Sequence, residues 1–296
     1  MLLIDEMKQY PFSNSERIVV DYILENKEKI KDYSTKQIAE ATYTSPSILI
    51  RIAKKLSFKG WNDLKAAYLD ELTYLNSHFT DIDANMPFNN QDSITTIANK
   101  ISKLHSESIN DTLSLINHDS LQKAVQIMRK SSKTNIFGIS NMNFLAMNFA
   151  FKLKRIGKDV ECDPISENLF QNASMATKSE CAVCISYSGQ TLAILKVARI
   201  LKKNNVPIIA ITSMGNNDLS KLADVTLNIS TRERSYSKIG AFTSEESINL
   251  ILDILFSCLF SLNYQANLDY KLAIASQIEV GRVIDNPIIE EKVKED

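Results

Sequence analysis

The sequence is poor in the features that most directly reveal a protein's chemistry. Its 296 residues include four cysteines, three histidines and seven glycines, and the formal net charge is −1. This charge balance excludes a uniformly basic nucleic-acid-binding protein, so any such site must be local. The length suggests two domains, and the 44% hydrophobic and 23% charged content is typical of a globular protein.

The cysteines do not have the pattern of a metal site or a disulfide framework. Cys162, Cys181, Cys184 and Cys258 all lie in apolar segments. Cys181 and Cys184 form a C-x-x-C pair, but residues three apart on a strand point to opposite faces of the sheet. We therefore expect buried, reduced cysteines in a reducing compartment, with no metal ion and no cofactor.

The sequence also shows no secretory signal and no apolar run long enough to span a membrane. The first seven residues already contain Asp5 and Glu6, which does not fit a secretory signal. The longest apolar run, residues 248–262, is too short to cross a bilayer and contains Asp253. These features predict a cytoplasmic protein without a membrane partner.

Residues 1–77 have the apolar periodicity of an all-helical domain. Capping-box spacings mark two helix starts: Ser13 with Glu16, and Ser34 with Gln37. After a break near residues 42–44, Ser45 is expected to cap a third helix that has Pro46 at its first position. Two short helices joined by such a turn predict a helix-turn-helix.

The third helix has two unlike faces. Leu49, Ile52, Ala53 and Leu56 recur at the helical spacing and are expected to face the core. In a recognition helix, the first side chains reach base edges and the flanking basic residues hold phosphates. The candidate DNA-binding residues are therefore Ser45, Ser47, Ile48, Arg51, Lys54, Lys55 and Lys59. A helical bundle with a solvated charged face is the alternative.

Several short motifs in this half match a known pattern: Ser15-Glu16-Arg17, Asp21-Tyr22-Ile23, Ile38-Ala39-Glu40-Ala41, Ser45-Pro46, Arg51, Lys54-Lys55-Leu56 and Phe58-Lys59-Gly60-Trp61. With these motifs, residues 12–64 resemble the N-terminal domain of the RpiR/MurR family of bacterial transcription regulators. The resemblance implies binding to double-stranded operator DNA.

The chain departs from that family at three positions. Tyr43 and Ser57 replace glycines that serve positive φ angles, so strain is expected at Tyr43. Ile48 replaces a common threonine, which suggests an apolar contact, for example with a thymine methyl group.

The rest of the chain predicts an α/β domain. Residues 78–92 lose periodicity and are expected to form a linker, which leaves residues 93–296 for this domain, with a core at about 121–262. Strands are predicted at residues 134–140, 159–162, 181–186, 207–212 and 225–229, with helices between them. Two further helices are predicted at residues 248–262 and at about 268–284. Continuous apolar strands separated by helices favour a doubly wound, flavodoxin-like five-stranded parallel sheet that binds its ligand at the carboxyl ends of the strands.

One strand leads directly into a loop rich in hydroxyl groups. Ser186, Ser188, Gly189 and Thr191 lie where the strand 181–186 gives way to a helix. Backbone N–H groups at a helix start, hydroxyl donors and a glycine that permits close approach all suit a phosphate. Helix capping by serine and threonine is the plainer alternative.

The motifs of this half also match a known pattern: Phe137-Gly138-Ile139-Ser140, Lys152-Leu153-Lys154-Arg155-Ile156-Gly157, residues 185–191, Ala210-Ile211-Thr212-Ser213, Leu222-Ala223-Asp224 and Gly240-Ala241-Phe242-Thr243-Ser244. Residues 121–262 resemble the sugar isomerase (SIS) domain. The resemblance implies that Ser186, Ser188, Gly189 and Thr191 hold the phosphate of a phosphosugar. In the first loop the family's serine is replaced by Met142, so Ser140 or Asn141 would have to substitute for it.

A SIS fold is compatible with either catalysis or sensing. Isomerisation needs a general base, and the carboxylates near the strand ends are Asp163, Glu167, Glu245 and Glu246, while the three histidines are scattered ahead of the sheet. Glu245 is also a candidate for ligand binding. Fusion to a helix-turn-helix favours a homodimeric or homotetrameric regulator that senses a sugar phosphate and has no catalytic residues.

Two alternatives stay open at the level of sequence. The first is a phosphosugar isomerase whose helical domain mediates assembly. The second is a DNA-binding protein whose SIS domain only forms oligomers.

Overall fold

The first half of the molecule is helical. The computed structural model describes residues 3–77, 82–163, 165 and 168–278. Its first elements are α1 (Leu3–Gln9), α2 (Asn14–Asn26), a 3-10 helix (Lys27–Asp32), α3 (Thr35–Ala41), α4 (Pro46–Lys55) and α5 (Trp61–Ser77). Both predicted capping boxes are confirmed, since the backbone N–H and hydroxyl of Ser13 and of Ser34 donate to Glu16 and Gln37. The helix starts therefore follow from local sequence.

The predicted core face of α4 is confirmed. Leu49, Ile52, Ala53 and Leu56 are at most 1% exposed and pack with apolar side chains of α2 and α5. This packing fixes which side of α4 remains available to a partner.

The two positions where the chain lacks a family glycine do have positive φ angles. Tyr43, in the turn between α3 and α4, has φ of 52°, and Ser57, just after α4, has φ of 70°. A side chain at such an angle costs roughly 1–2 kcal/mol relative to an ordinary backbone conformation. The expected strain at Tyr43 is therefore confirmed, and Ser57 shares it.

The second half alternates strands and helices. Two helices precede the sheet, α6 (Ile94–Leu115) and α7 (His118–Lys130). The strands and helices that follow are β1 (Thr134–Phe137), α8 (Asn141–Lys154), β2 (Val160–Glu161), α9 (Leu169–Met175), β3 (Cys181–Ser186), α10 (Leu192–Lys203), β4 (Ile208–Ser213), α11 (Asp218–Leu222), β5 (Val225–Ile229), α12 (Phe242–Ser261) and α13 (Tyr264–Ile278). The five strands are all parallel, in the order β2-β1-β3-β4-β5. This is the flavodoxin-like order, and the predicted fold class is confirmed.

The two faces of the sheet have separate cores. Cys181, Val183 and Ile185 belong to the cluster that includes α8 and α12, whereas Ala182 and Cys184 belong to the cluster with α10. The two cysteines therefore lie on opposite faces, as predicted. Burial raises the pKa of Cys184 to about 12, which keeps its thiol protonated. Within the described ranges, no group of three or more His, Cys, Asp or Glu residues could hold a metal ion.

Element boundaries differ most at the last two helices. The helix predicted from residue 248 begins at Phe242, because its first turns bury polar side chains such as Thr243 and Ser247 instead of apolar ones. The last helix starts at Tyr264, ahead of the predicted residue 268, and its predicted end at residue 284 lies outside the described residues. In the part of the chain that the structure covers, no single helix is long and apolar enough to cross a membrane. α12 and α13 reach that length and apolar content only when they are taken together, and the pair is bent by 105°.

Candidate functional site

A cavity of about 320 Å³ lies at the carboxyl edge of the sheet, between the loops that follow β1 and β3. These strands are neighbours although they are not consecutive, so the cavity is at the switch point where α/β sheets bind ligands. Its size lies within the usual range for a small-molecule pocket. Its wall includes Ser140, Asn141 and Met142 of the first loop and Ser186, Tyr187, Ser188 and Thr191 of the second.

The second loop brings its hydroxyl groups together at the start of α10. The Oγ of Ser186 lies 2.8 Å from the Oγ1 of Thr191, and the Oγ of Ser188 accepts a bond from the Gln190 N–H at 3.2 Å. Thr191 is the N-cap residue of α10, but its side chain makes no capping bond. The first N–H groups of a helix have no partner within the helix, so they can serve an anion here. This geometry favours the phosphate interpretation over plain capping.

Gly189 is needed for a reason that the sequence did not reveal. Its φ is 63°, and a Cβ added there would lie 2.0 Å from the Oδ1 of Asn217. Asn217 is 1% exposed and fixed in place, since its Nδ2 donates to the Thr212 hydroxyl and the Ser213 carbonyl. The loop therefore rests directly on Asn217, and a side chain at position 189 would lift it.

The first loop is built differently. Ser140 has φ of 57°, an angle that glycine adopts without strain. Met142 is 8% exposed and packs into the core, so it supplies no polar group in place of the family's serine. Asn141 lines the cavity, and its Nδ2 donates to the Oε1 of Glu245 at 2.8 Å. Glu245 is not among the lining residues, and its side chain contacts the cavity wall through Asn141.

A third wall, which the sequence analysis did not assign, is the roof loop, residues 230–241. Ser235 and Lys238 of this loop line the cavity. The Nζ of Lys238 lies 2.6 Å from the Oε2 of Glu233 and 5.1 Å from the centre of the Tyr187 ring. Lys238 is the cation in the described cavity wall. A polar run between the last strand and an apolar helix was the available signal for it.

Glu233 holds the roof loop to the start of α12. Its carboxylate accepts the backbone N–H and the hydroxyl of both Thr243 and Ser244. Burial alone would raise the pKa of Glu233, but Lys238 and these hydrogen bonds outweigh it and keep the pKa below its usual value. Glu233 is therefore anionic, and Lys238 is held with its charge at the cavity.

The second candidate surface is the outer face of α4. Ser47, Ile50, Arg51 and Lys54 are exposed, and they recur at the spacing of one helix face. Ser45 and Lys59 are exposed at its two ends, and the hydroxyl of Ser45 lies 2.8 Å from that of Ser47.

The structure places Ile48, a predicted DNA contact, in the core and not on the outer face of α4. Ile48 is 6% exposed and packs in the core, whereas Ile50 is 47% exposed. At about 100° per residue, the two side chains lie roughly 90° and 110° from the centre of the core face. The sequence pattern could not separate them, and packing against α2 and α5 decides. The apolar group on the outer face is therefore Ile50.

Lys55 differs from the other basic residues near this face. Its Nζ lies 2.7 Å from the Oε2 of Glu16, and the Nε of Arg51 lies 3.7 Å from the Oε1 of the same carboxylate. Burial would raise the pKa of Glu16, but hydrogen bonds from Lys55 and Ser13 outweigh it and lower the pKa to about 2. Lys55 thus links α4 to α2 through the buried carboxylate of Glu16. The same carboxylate attracts the guanidinium of Arg51, which is more exposed.

Comparisons with known proteins agree with this arrangement. Residues 1–74 match the family model of the helix-turn-helix domain of the rpiR family, and residues 127–256 match the model of the SIS domain. The chain belongs to the RpiR family. An uncharacterized HTH-type transcriptional regulator of Caldanaerobacter subterraneus is 26% identical to this RpiR-family chain over 277 residues, which cover 93% of this chain and 95% of the relative.

Two solved structures share its fold. Vibrio vulnificus NanR, complexed with ManNAc-6P, gives a TM-score of 0.58 at 23% identity and covers 93% of this chain and 97% of its own. The sugar isomerase domain of an RpiR transcription factor from Sphaerobacter thermophilus gives 0.53 at 15% identity and covers 60% of this chain and 97% of its own.

The carboxylates considered for catalysis do not converge on the cavity. Asp163 accepts bonds from the Ile165 N–H and the Asn168 amide, which hold its own loop, and Glu246 lies 3.6 Å from His105. Glu167 and His78 lie outside the described residues. No Asp, Glu or His belongs to the cavity wall in the described ranges.

Proposed function

We propose that this protein is a transcription regulator that binds operator DNA through the outer face of α4 and senses a sugar phosphate in the cavity between β1 and β3. The observation that carries the proposal is the pairing of a helix-turn-helix with a switch-point cavity that combines hydroxyl groups, a helix start and Lys238. Such a regulator would act in the cytoplasm.

On the DNA side, the exposed residues divide into two kinds. Arg51, Lys54 and Lys59 would contact phosphates, whereas Ser47 and Ile50 would meet base edges near the start of α4, with Ser45 beside them. Ile50 takes the apolar contact that the sequence assigned to Ile48. Lys55 is assigned to holding α4 in place, because Glu16 already engages it.

On the ligand side, the phosphate group would lie at the second loop. Ser186, Ser188 and Thr191 offer hydroxyl groups, the start of α10 offers N–H groups, and Lys238 offers the balancing charge. The sugar would then extend toward Ser140 and Asn141. The complex of Vibrio vulnificus NanR with ManNAc-6P supports this ligand class.

An isomerase is the second candidate, and the described cavity wall speaks against it. Aldose–ketose isomerisation needs a group that removes a proton from carbon, and carboxylates or histidines usually do so. The wall offers hydroxyl groups, one amide and Lys238, whose charge is held by Glu233. These groups bind a phosphate well and abstract a proton poorly. We therefore propose sensing without turnover.

A symmetric assembly would complete the DNA reader. α8 exposes Phe144, Met147 and Phe151 at the spacing of one helix face, with exposures of 73%, 38% and 58%. We propose that two copies pair through this stripe, giving a homodimer or a homotetramer that places paired α4 helices on half-sites about 34 Å apart or a multiple of that distance. A Phe144→Glu, Phe151→Glu double variant should run as a monomer in light scattering.

The function is tested by ligand screening followed by DNA binding. A thermal-shift panel of ManNAc-6P, glucosamine 6-phosphate, fructose 6-phosphate and arabinose 5-phosphate, each beside its unphosphorylated sugar, should raise Tm only for phosphorylated compounds. Genomic fragments selected by the purified protein supply the operator. Arg51→Ala should weaken operator binding about tenfold, with Lys36→Ala on α3 as the matched control.

A further inference from the structure

Asn85 is buried in the segment that joins the two halves of the chain. Residues 82–92 form neither helix nor strand, but Asn85 is 6% exposed and Ala84 4%. Phe88 packs edge-on against Phe242, the first residue of α12, with ring centres 6.4 Å apart. This part of the connection is therefore fastened to the SIS domain.

Asn85 binds the roof loop at two points. Its Oδ1 accepts the N–H of Arg234 at 2.6 Å, and its backbone carbonyl accepts the N–H of Ile239 at 2.9 Å. The backbone and side-chain N–H groups of Asn85 both donate to the Oδ1 of Asp83, at 2.9 and 2.8 Å. Asp83 thus orients Asn85 so that both of its acceptors face the roof loop.

The two bonded amides are the chain neighbours of cavity-lining residues. Arg234 comes just before Ser235, and Ile239 comes just after Lys238. The segment of the roof loop that contains Ser235 and Lys238 therefore lies between its two bonds to Asn85. Any shift of Lys238 or Ser235 acts on those bonds.

Lys238 has a reason to shift when a phosphate arrives. Its ammonium group is 2.6 Å from the carboxylate of Glu233, and a bound phosphate would be a second anionic partner. Because Glu233 also has four donors from Thr243 and Ser244, it can release part of its hold on Lys238 without losing all its bonds.

The other end of the connection leads to the DNA-binding domain. α5 ends at Ser77, shortly before Asn85 in sequence, and its residues Leu64 and Tyr68 share a buried core with Leu56 at the end of α4. The connection is thus the covalent route by which a change in how Asn85 is held would reach α5, and with it the α4 face proposed to read DNA.

We propose that Asn85 is a positioning residue that couples occupancy of the cavity to operator binding by joining the roof loop to the interdomain connection. This inference rests on the proposed function. Asn85 touches neither the sugar phosphate nor the DNA. When the sugar phosphate stabilises one of two positions of the roof loop, Asn85 passes that change to the interdomain connection. Such a difference in stability between two states is what coupling requires.

The test compares full-length wild type with Asn85→Ala. Operator affinity is measured with and without the sugar phosphate that most raises Tm in the panel above, with inorganic phosphate as a second probe. In the wild type, the sugar phosphate should change operator affinity by about 5- to 150-fold, the usual range of coupling. In Asn85→Ala the change should fall to about twofold or less, while sugar-phosphate affinity without DNA stays within about threefold of wild type.

Met86→Ala is the matched control, because Met86 is the next residue and its side chain is 52% exposed. It should retain the wild-type response. By reciprocity, saturating operator should change sugar-phosphate affinity in wild type and Met86→Ala by the same factor, and barely in Asn85→Ala.

The outcomes separate the inference from the function. If no sugar phosphate changes operator binding by the wild type, the proposed function fails, and the inference fails with it. If the wild type responds and Asn85→Ala responds equally, only the inference is overturned. If Asn85→Ala loses sugar-phosphate binding itself, Asn85 is part of the pocket's support and the coupling role is also overturned.

A measurement on the wild type covers the case in which Asn85→Ala does not fold. Hydrogen–deuterium exchange should show that the sugar phosphate changes protection in residues 83–88 as well as at the Arg234 and Ile239 amides. A change confined to the second loop and the roof loop, with residues 83–88 unaffected, would overturn the proposal.

Discussion

The two loops that flank the cavity occupy equivalent places in the sheet and are built very differently. The loop after β3 has its glycine at the positive φ angle, Gly189, and its hydroxyl groups gathered at a helix start. The loop after β1 has Ser140 at a positive φ angle and buries Met142 where a hydroxyl group would be expected. We therefore propose that the second loop recognises the phosphate and that the first loop contacts the sugar.

We propose that the roof loop compensates for the altered first loop. Lys238 brings a full positive charge to the cavity, and Glu233 and Tyr187 hold it there. A charge-assisted hydrogen bond is roughly twice as strong as a neutral one, so one lysine offsets a missing serine hydroxyl. Four sets of variants test this contrast between the two loops.

The largest expected effect is in the second loop. Gly189→Ala places a Cβ 2.0 Å from the Oδ1 of Asn217 at a φ of 63°, so the loop must move off its support. We expect sugar-phosphate affinity to fall by at least about 100-fold, or about 2.8 kcal/mol. Isothermal titration calorimetry measures it, with Gln190→Ala, an exposed neighbour, as the control. Wild-type affinity in Gly189→Ala would contradict this account of the loop.

The second effect concerns the first loop and stability. Met142→Ser restores the family's residue type but removes an apolar side chain that is 8% exposed from the core. The free energy of unfolding should fall by about 2 kcal/mol, as for other buried large-to-small changes, and sugar-phosphate affinity should not rise. Urea denaturation and calorimetry provide the two readouts. A tenfold gain in affinity would show that the first loop does bind phosphate.

The third effect compares one polar group in each loop. Ser188→Ala removes a hydroxyl group from the proposed phosphate site and should weaken binding about tenfold, or about 1.4 kcal/mol. Asn141→Ala, in the first loop, should weaken it about threefold or less, because its amide is already bonded to Glu245. A reversed order of the two effects would move the phosphate to the other side of the cavity.

The smallest effect is a gain. Ser140→Gly relieves a φ of 57° at a residue that need not bind phosphate, and it should raise the free energy of unfolding by about 0.5–1 kcal/mol. Tyr43→Gly, with φ of 52° in the turn before α4 and a side chain that is 98% exposed, should give a similar gain. Chemical denaturation checks both, and a loss in either variant would mean that the side chain makes a contact that outweighs the strain.

The sequence predicted what is local or periodic. The alternation of strands and helices, the core face of α4, the capping boxes at Ser13 and Ser34 and the opposite faces of Cys181 and Cys184 all follow from spacing and helix-start chemistry. Such features need only neighbouring residues to be specified.

Features set by distant packing could not be predicted in the same way. On a helical wheel, Ile48 and Ile50 lie at similar angles from the core face, on its opposite flanks. Only contact with α2 and α5 buries Ile48. Lys238 is 50 positions beyond Ser188 in sequence, and no motif links them to one cavity. Asn85 lies in a stretch that has the composition of a linker, and its role depends on two amides of the roof loop.

Control of DNA binding by the cavity is tested by titrating operator DNA with full-length protein, in wild type and Ser188→Ala. Each titration is run with and without the sugar phosphate that most raises Tm in the thermal-shift panel. We expect the sugar phosphate to change the operator Kd of wild type by about fivefold or more. In Ser188→Ala the same change should need about tenfold more sugar phosphate. An operator Kd that no phosphorylated sugar alters would contradict the claim that this cavity controls DNA binding.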